Sequence, residues 1–481
     1  MNHANLQLEN PSLTLYAFHL RNRLGQVREE VTPDAEKIWQ EMVKLGQSLR
    51  IDKLEALPQS LICYQRGEYS PSAENRYWAQ SSRLSLLSSG NNLDFQYISQ
   101  DSDLEMKGTI TPFCVHDTYL IDLTFSSQNL VSLNQIHQLN PKGFDSIKTS
   151  LGQTFIFYAE LPDGEKSCNL FLADQCVKRL MPASTSLKFV AQDLLLDNPI
   201  FEYDNGETDP AQRQQILLWF NCNHLPLDGK FDKAVEHLVL LLWGQKKILY
   251  AYTQANYCVE QGLSFYSNVE QNTQNFPQIA NESDRLDKFK KILIELPQKS
   301  VNYAVQLRDL KDHKQTIEIN IQNYQRQLEK LQILSSSNLQ FLEQFPSGKF
   351  CHQVQVEQNH LEVGYALYEK LIESIRSIVA IDQVESDQRH EAKEKQGELN
   401  LQLTLAGFGA GFAVSGISSQ VLNTPLEKLQ GQELPKAPPI EVIKSTSANV
   451  LIHIGIGLTA GLIAVMLVLL INWLLRSLKP K

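Results

Sequence analysis

Few residues in this chain sit at spacings that support chemistry. His116-Asp117 and the group Cys222, His224 and Asp228 are the densest polar clusters of the first half. A Cys-x-His pair supplies, in principle, a nucleophile and a base, but residues two apart on a strand share a face as ordinary filler just as readily. We read both clusters as structural. The strings Gly407-x-Gly409 and Gly455-x-Gly457-x-x-x-Gly461 imitate a dinucleotide fingerprint, yet each lies inside an apolar run instead of following a strand in a βαβ unit. They are packing glycines. Walker A, H-E-x-x-H and G-x-S-x-G strings do not occur. The expectation is a non-enzyme with no catalytic residue and no cofactor, its metal ligands unknown.

The patterned set of small and polar residues lies elsewhere. On a helix, Thr404, Gly407, Gly411, Ser415 and Ser418 all fall within about 60° of Asn400. Inside a bilayer such a stripe faces a bundle interior or water, or else it packs helices closely. These six are the candidate pore-lining residues. The same face extended upward carries Asp382, Ser386, Arg389 and Lys393. Asp382, Arg389 and Lys393 form a candidate entrance ring, whose cationic members would oppose the passage of cations.

The elements that must position this stripe are written in hydropathy. Val450 to Leu475 is a run of 26 uncharged residues, about 39 Å as a helix, and Trp473, Arg476, Lys479 and Lys481 close it. Leu403 to Leu422 adds 20 uncharged residues rich in Gly, Ala and Ser, about 30 Å of helix. The sequence predicts transmembrane helices over 403–422 and 450–475, an external loop over 423–449 carrying four prolines, and a basic tail over 476–481. The N-terminal stretch lacks a basic region followed by an apolar core, so no export signal is expected. Both termini are therefore expected in the cytoplasm, giving a multi-pass protein of the membrane, the inner one in a bacterial cell.

Upstream, residues 1–228 alternate β-like runs with turn signals: 13–20, 60–65, 109–115, 118–125, 154–161, 168–174 and 216–221. Thr32, Pro33 and the acids that follow predict a helix to about Leu49. This part reads as an α+β or α/β cytoplasmic domain. Residues 229–348 read as a helical part, first in a long apolar helix whose Lys246 and Lys247 forbid a membrane span. Then come heptads: Tyr303, Leu307, Leu310, Lys314, Ile317, Ile321, Tyr324, Leu328 and Leu331. After Pro346-Ser347-Gly348, residues 349–402 read as a stalk helix with a second run at Leu361, Tyr365, Tyr368, Ile372, Ile375 and Val379. Seven scattered cysteines without a C-x-x-C pair argue against a disulfide framework and for reduced thiols. With 44 basic and 54 acidic residues the net charge is −10, which speaks against a nucleic-acid partner.

A cytoplasmic sheet domain, long helices, a stalk, two C-terminal spans and a basic tail together resemble the CorA family of homopentameric divalent-cation transporters. The resemblance covers the layout of 285–481. In that family a Gly-Met-Asn motif follows the first span as the selectivity mouth; here Ser418-Ser419-Gln420-Val421-Leu422-Asn423 stands instead. The resemblance implies a homo-oligomer, five-fold, partnered by the lipid bilayer, with an unknown cytoplasmic ligand. It implies an ion channel or transporter gated by the cytoplasmic domain. A membrane-anchored signalling or scaffolding oligomer without selective transport is the second expectation, and a tail-anchored protein with enzymatic work in its soluble part the third.

Overall fold

The computed structural model describes residues 6–391, except 24–28, 81–82, 99–103, 142–143, 145–146, 163–167, 182–185, 225, 227, 336 and 338. The candidate pore residues Asn400 to Ser418, Lys393 and both apolar runs lie outside the described residues. Among the described residues no helix is long and apolar enough to cross a membrane. What is described is a mixed α+β sheet domain followed by long helices. The chain divides into two compact units, one of 1–268 with 300–365 and one of 269–299 with the chain from 366 onward.

The first unit is built on β1 (Gln7–Leu20), whose apolar run is buried on both faces from Tyr16 to Leu20. After it come α1 (Lys37–Leu49), α2 (Asp52–Glu55), α3 (Leu57–Ser60), β2 (Tyr64–Gln65), β3 (Glu68–Tyr69) and a 3-10 segment over Pro71–Gln80. The strands β4 (Arg83–Ser85), β5 (Leu93–Ile98), β6 (Glu105–Val115), β7 (Thr118–Ser126), β8 (Val131–Ser132) and β9 (Gln153–Glu160) follow. Then come α4 (Leu170–Leu180), β10 (Lys188–Leu195), β11 (Asn198–Asp204) and β12 (Gln215–Asn221). They form a ten-stranded sheet in the order β10-β11-β12-β9-β1-β7-β6-β4, with β5 on β6 and β8 on β1. Neighbours are antiparallel apart from β12 and β9, which run parallel with Ile216 opposite Phe155. Asn10, at φ 49°, and Pro11 lie where the β1–β9 register shifts between Glu9 and Ser12, a bulge that suits a residue without an N–H.

Alternation sorts the core. Leu13, Leu15 and Ala17 of β1, Phe155, Phe157 and Ala159 of β9 and Ile216, Leu218 and Phe220 of β12 share one buried cluster with Ile38, Trp39 and Met42 of α1 and Leu172, Ala173 and Cys176 of α4. The opposite residues Ile156, Leu217 and Trp219 are buried as well. They lie beneath α5 (Gly229–Ala280), whose Phe231 ring stacks on Trp219 at 4.8 Å. A central strand covered on both faces reads as a continuous apolar run, which is why these strands are legible.

Three expectations are corrected. Residues 168–174 are not a strand: α4 begins there, with Asn169 accepting the N–H of Leu172 as N-cap. The buried set Leu172, Ala173, Cys176, Val177 and Leu180 has helical spacing. Residues 60–65 hold the end of α3 and the two-residue β2, not a full strand. Thr32 does not cap α1, which starts five residues later; its hydroxyl donates to the Leu20 carbonyl at 3.2 Å.

The long helices are α5, α6 (Arg285–Ser335), the short α7 (Gln340–Glu343) and α8 (Ser347–Glu391). In the first unit the heptad residues Tyr303, Leu307, Leu310, Ile317, Tyr324, Leu328 and Leu331 are buried. Tyr303 donates to the Leu361 carbonyl at 2.7 Å, and Tyr252 to Gln353 at 2.8 Å, so α5, α6 and α8 pack side by side. A Cβ on Gly364 would lie 2.2 Å from the Tyr266 ring, so the helices meet where a side chain is missing. In the second unit Phe276 packs on Phe289 at 5.5 Å, and Arg285 gives Asp382 two hydrogen bonds of 3.2 and 3.1 Å.

Candidate functional site

The polar residues that the fold gathers lie beneath α5, at the ends of buried strands. Lys246, fully buried, donates from Nζ to the carbonyl of Gln153 at 3.1 Å. Beside it Gln215 Nε2 donates to Glu202 at 2.7 Å and to Gln245 at 3.4 Å, while Gln215 Oε1 accepts from Thr154 at 2.9 Å. Strand pairing produces this cluster. Asp204 pairs with Gln215 and Glu202 with Leu217, so Glu202, Asp204 and Gln215 fall on the face of the sheet that α5 covers. Asp204 in turn holds Arg213. One residue further along α5, Lys247 pairs with Asp117, and Trp243 stacks on His116 at 5.7 Å.

Burial sets the ionisation here. It drives the Lys246 ammonium down to about 7, helped by the nearby charge of Arg213 and opposed by Asp204 and Glu202. It pushes the Glu202 carboxyl up, against the hydrogen bond from Gln215. An amine that is half neutral near pH 7 has the basicity of a general base, yet Lys246 is covered on every side. The cluster is therefore an ionisable seat for α5 on the sheet, and its charge state bears on how tightly that helix is held.

A second buried network lies on the other side of β1. Arg21 Nε donates to Glu74 at 3.0 Å, Tyr119 donates to Glu74 at 2.6 Å, and the Tyr69 and Tyr119 hydroxyls are 3.0 Å apart. Burial raises Glu74, and the bonds from Tyr119 and Arg21 oppose it. His19 accepts the Ser150 N–H at Nδ1, so its proton is on Nε2 and is donated to the Asp34 carbonyl at 2.8 Å. Burial keeps this ring below its ordinary pKa.

The sequence-selected residues serve structure. His116, at φ 53°, and Asp117 form the β6–β7 turn and meet α5 through Trp243 and Lys247. Asp228 accepts the N–H groups of Lys230 and Phe231 at 2.8 and 3.3 Å, at the start of α5. Cys222 is bonded to Cys168 in the structure, against the expectation of reduced thiols throughout, and in that bonded form it offers no Cys-x-His nucleophile. Asp382 is held by Arg285 of the same chain; Arg389 lies within α8. The sequence reading takes Lys246 only as a bar to a membrane span and does not single out Glu202, Gln215 or Thr154. The sequence signal is a polar residue at the start of an apolar run, as in Gln215 before ILLWF. Among the described residues no group of three or more His, Cys, Asp or Glu is placed to hold a metal ion. Compared with known proteins, the chain matches no family model, no curated protein and no solved structure.

Proposed function

We propose that this chain is a membrane-embedded homo-oligomer of CorA-like layout, an ion channel or transporter whose cytoplasmic sheet domain acts on a pore through the long helices. The observation that carries the reading is a second stripe on α8. Its inward residues Val354, Leu361, Tyr368 and Ile375 repeat every seven positions and are buried. Val356, Val363, Lys370, Ser377 and Val384 repeat at the same interval. Of these, Val356, Val363 and Val384 are 51, 62 and 56 % exposed. Valines held in water at heptad spacing suit a helix that packs against copies of itself. In sequence, α8 leads on to the uncharged run 403–422, which sets such copies parallel around a common axis. Five copies is the number that the resemblance implies.

The missing Gly-Met-Asn motif leaves divalent selectivity without a residue to carry it, and Arg389 and Lys393 before the first apolar run disfavour cations. That supports the second reading, a membrane-anchored signalling or scaffolding oligomer without selective transport. Mass measurement of the detergent-solubilised full chain, with ion flux in liposomes from the same preparation, separates the two. Oligomer with flux supports the channel; oligomer without flux supports the scaffold; monomer alone removes both and leaves a tail anchor.

A further inference from the structure

Of the seven cysteines, five are free thiols and two are bonded to each other. Cys63, Cys114, Cys176 and Cys258 are buried, and burial pushes all four thiols up, Cys258 to about 11. Cys351 is raised by partial burial and by the Glu318 carboxylate beside it. None of these five is poised to react as a thiolate. Cys168 and Cys222 are different: they are bonded to each other, and both, like Cys351, are partly exposed. We propose that this pair is a reversible thiol–disulfide exchange site, a redox clamp that fixes the start of α4 to the corner where the chain leaves β12 for α5.

The position gives the clamp its leverage. Cys168 immediately precedes the N-cap Asn169 of α4. Cys222 immediately follows β12, and six residues separate it from the start of α5. The corner is otherwise held by hydrogen bonds: Asn198 Oδ1 accepts the N–H groups of Cys222 and Asn223 at 2.9 and 3.0 Å, and Asn223 donates to the Asp197 carbonyl at 2.6 Å. The cysteines are 54 positions apart, and between them lie α4, β10, β11 and β12. That wing of the sheet joins the remaining strands through the β12–β9 pairing. Closing the clamp adds a covalent tie between the helix on one face and the strand that feeds the helix on the other.

The chemistry balances with a small-molecule disulfide. To close the clamp, a thiolate of the pair attacks oxidised glutathione and releases one glutathione thiolate. The partner cysteine then displaces the second, so two protein thiols become one cystine and one glutathione disulfide becomes two glutathione thiols. Opening is the reverse, with two glutathione thiols as reductant. A cytoplasmic setting favours the open form and makes any closed form transient; in this respect alone the clamp rests on the function proposed above.

The test equilibrates the full chain in detergent with glutathione buffers of stepped oxidised-to-reduced ratio, followed by alkylation, peptide mass mapping and amide hydrogen exchange. The expected result is a 168–222 cross-link in oxidising buffer and two alkylated cysteines in reducing buffer, with the fold intact in both. Exchange in the first turn of α4 and at 222–224 should run tenfold or more faster in the reduced form. Chains with Cys168→Ser or Cys222→Ser should exchange fast in either buffer. A cross-link that survives the reducing buffer in folded protein, two cysteines that never link, or equal exchange in both states would each overturn the proposal. Oligomer mass and ion flux are separate readouts, so failure of the clamp and failure of the channel reading are told apart.

Discussion

The ammonium of Lys246 and the carbonyl of Gln153 meet at 3.1 Å, beneath α5 and at the first residue of β9. The two are 93 positions apart, and the bond joins the long helix to the sheet through a group whose charge is marginal near neutral pH. Burial favours the neutral amine, so the folded chain gives up this proton more readily than the unfolded chain does.

Between about 7, the folded value, and the ordinary 10.5 of an unfolded lysine, the unfolded chain binds more protons, so this group makes stability rise with pH. Its contribution is complete above 10.5 and lost as pH falls through about 7. Comparing wild type with Lys246→Met at pH 7 and 8.5 stays below the tyrosine range, and the unfolded thiols that begin to lose protons there are common to both chains and cancel. Wild type should gain up to about 2 kcal/mol relative to the variant over that interval, a rise that the variant lacks. Denaturant titration at the two pH values measures it.

Glu74 accepts from Arg21 and Tyr119 with no exposed surface. Glu74→Ala should lower unfolding free energy by roughly 3–5 kcal/mol, because it leaves the Arg21 guanidinium buried beside a missing partner. Tyr119→Phe keeps the ion pair and should cost only about 1–2 kcal/mol. Equal losses in denaturant titration would mean that the carboxylate and the guanidinium are not the dominant pair.

Two helical glycines should respond in opposite directions to alanine. At Gly364 the new Cβ would be 2.2 Å from Tyr266 and 2.6 Å from the Tyr303 hydroxyl, so overpacking should cost roughly 1–3 kcal/mol. At Gly244 the nearest atoms, of Tyr324 and Asn320, are 3.7 and 3.8 Å away, an ordinary contact. There alanine should gain up to about 1 kcal/mol from helix propensity. Thermal unfolding of the two variants beside wild type decides.

If Arg389 and Lys393 ring a pore entrance, replacing both by Gln should raise cation conductance in liposomes while the oligomer stays intact. Asp382 is taken up by Arg285 and offers that entrance little free charge. Unchanged conductance and selectivity would mean that the two basic side chains point away from the ion path.

The sheet domain and the long helices are legible in the sequence because their signals are local. Apolar runs such as LTLYAFHL and TFIFYAEL sit in strands buried on both faces, and the heptads of Tyr303 to Leu331 form the inward face of α6. The misreading of 168–174 arises where a short apolar run fits strand and helix alike, and Asn169 decides between them. The Lys246 seat is not legible, since Thr154 and Gln215 are 61 positions apart and come together only through the parallel β9–β12 pairing. The same holds for Cys168 and Cys222, which no spacing rule pairs.

Ion flux through the full chain, reconstituted in liposomes from a preparation whose oligomer mass has been measured, separates a channel from a scaffold. The channel reading predicts a homo-oligomer, five-fold, and flux well above that of protein-free vesicles. An intact oligomer with flux no greater than that of the empty vesicles would contradict it.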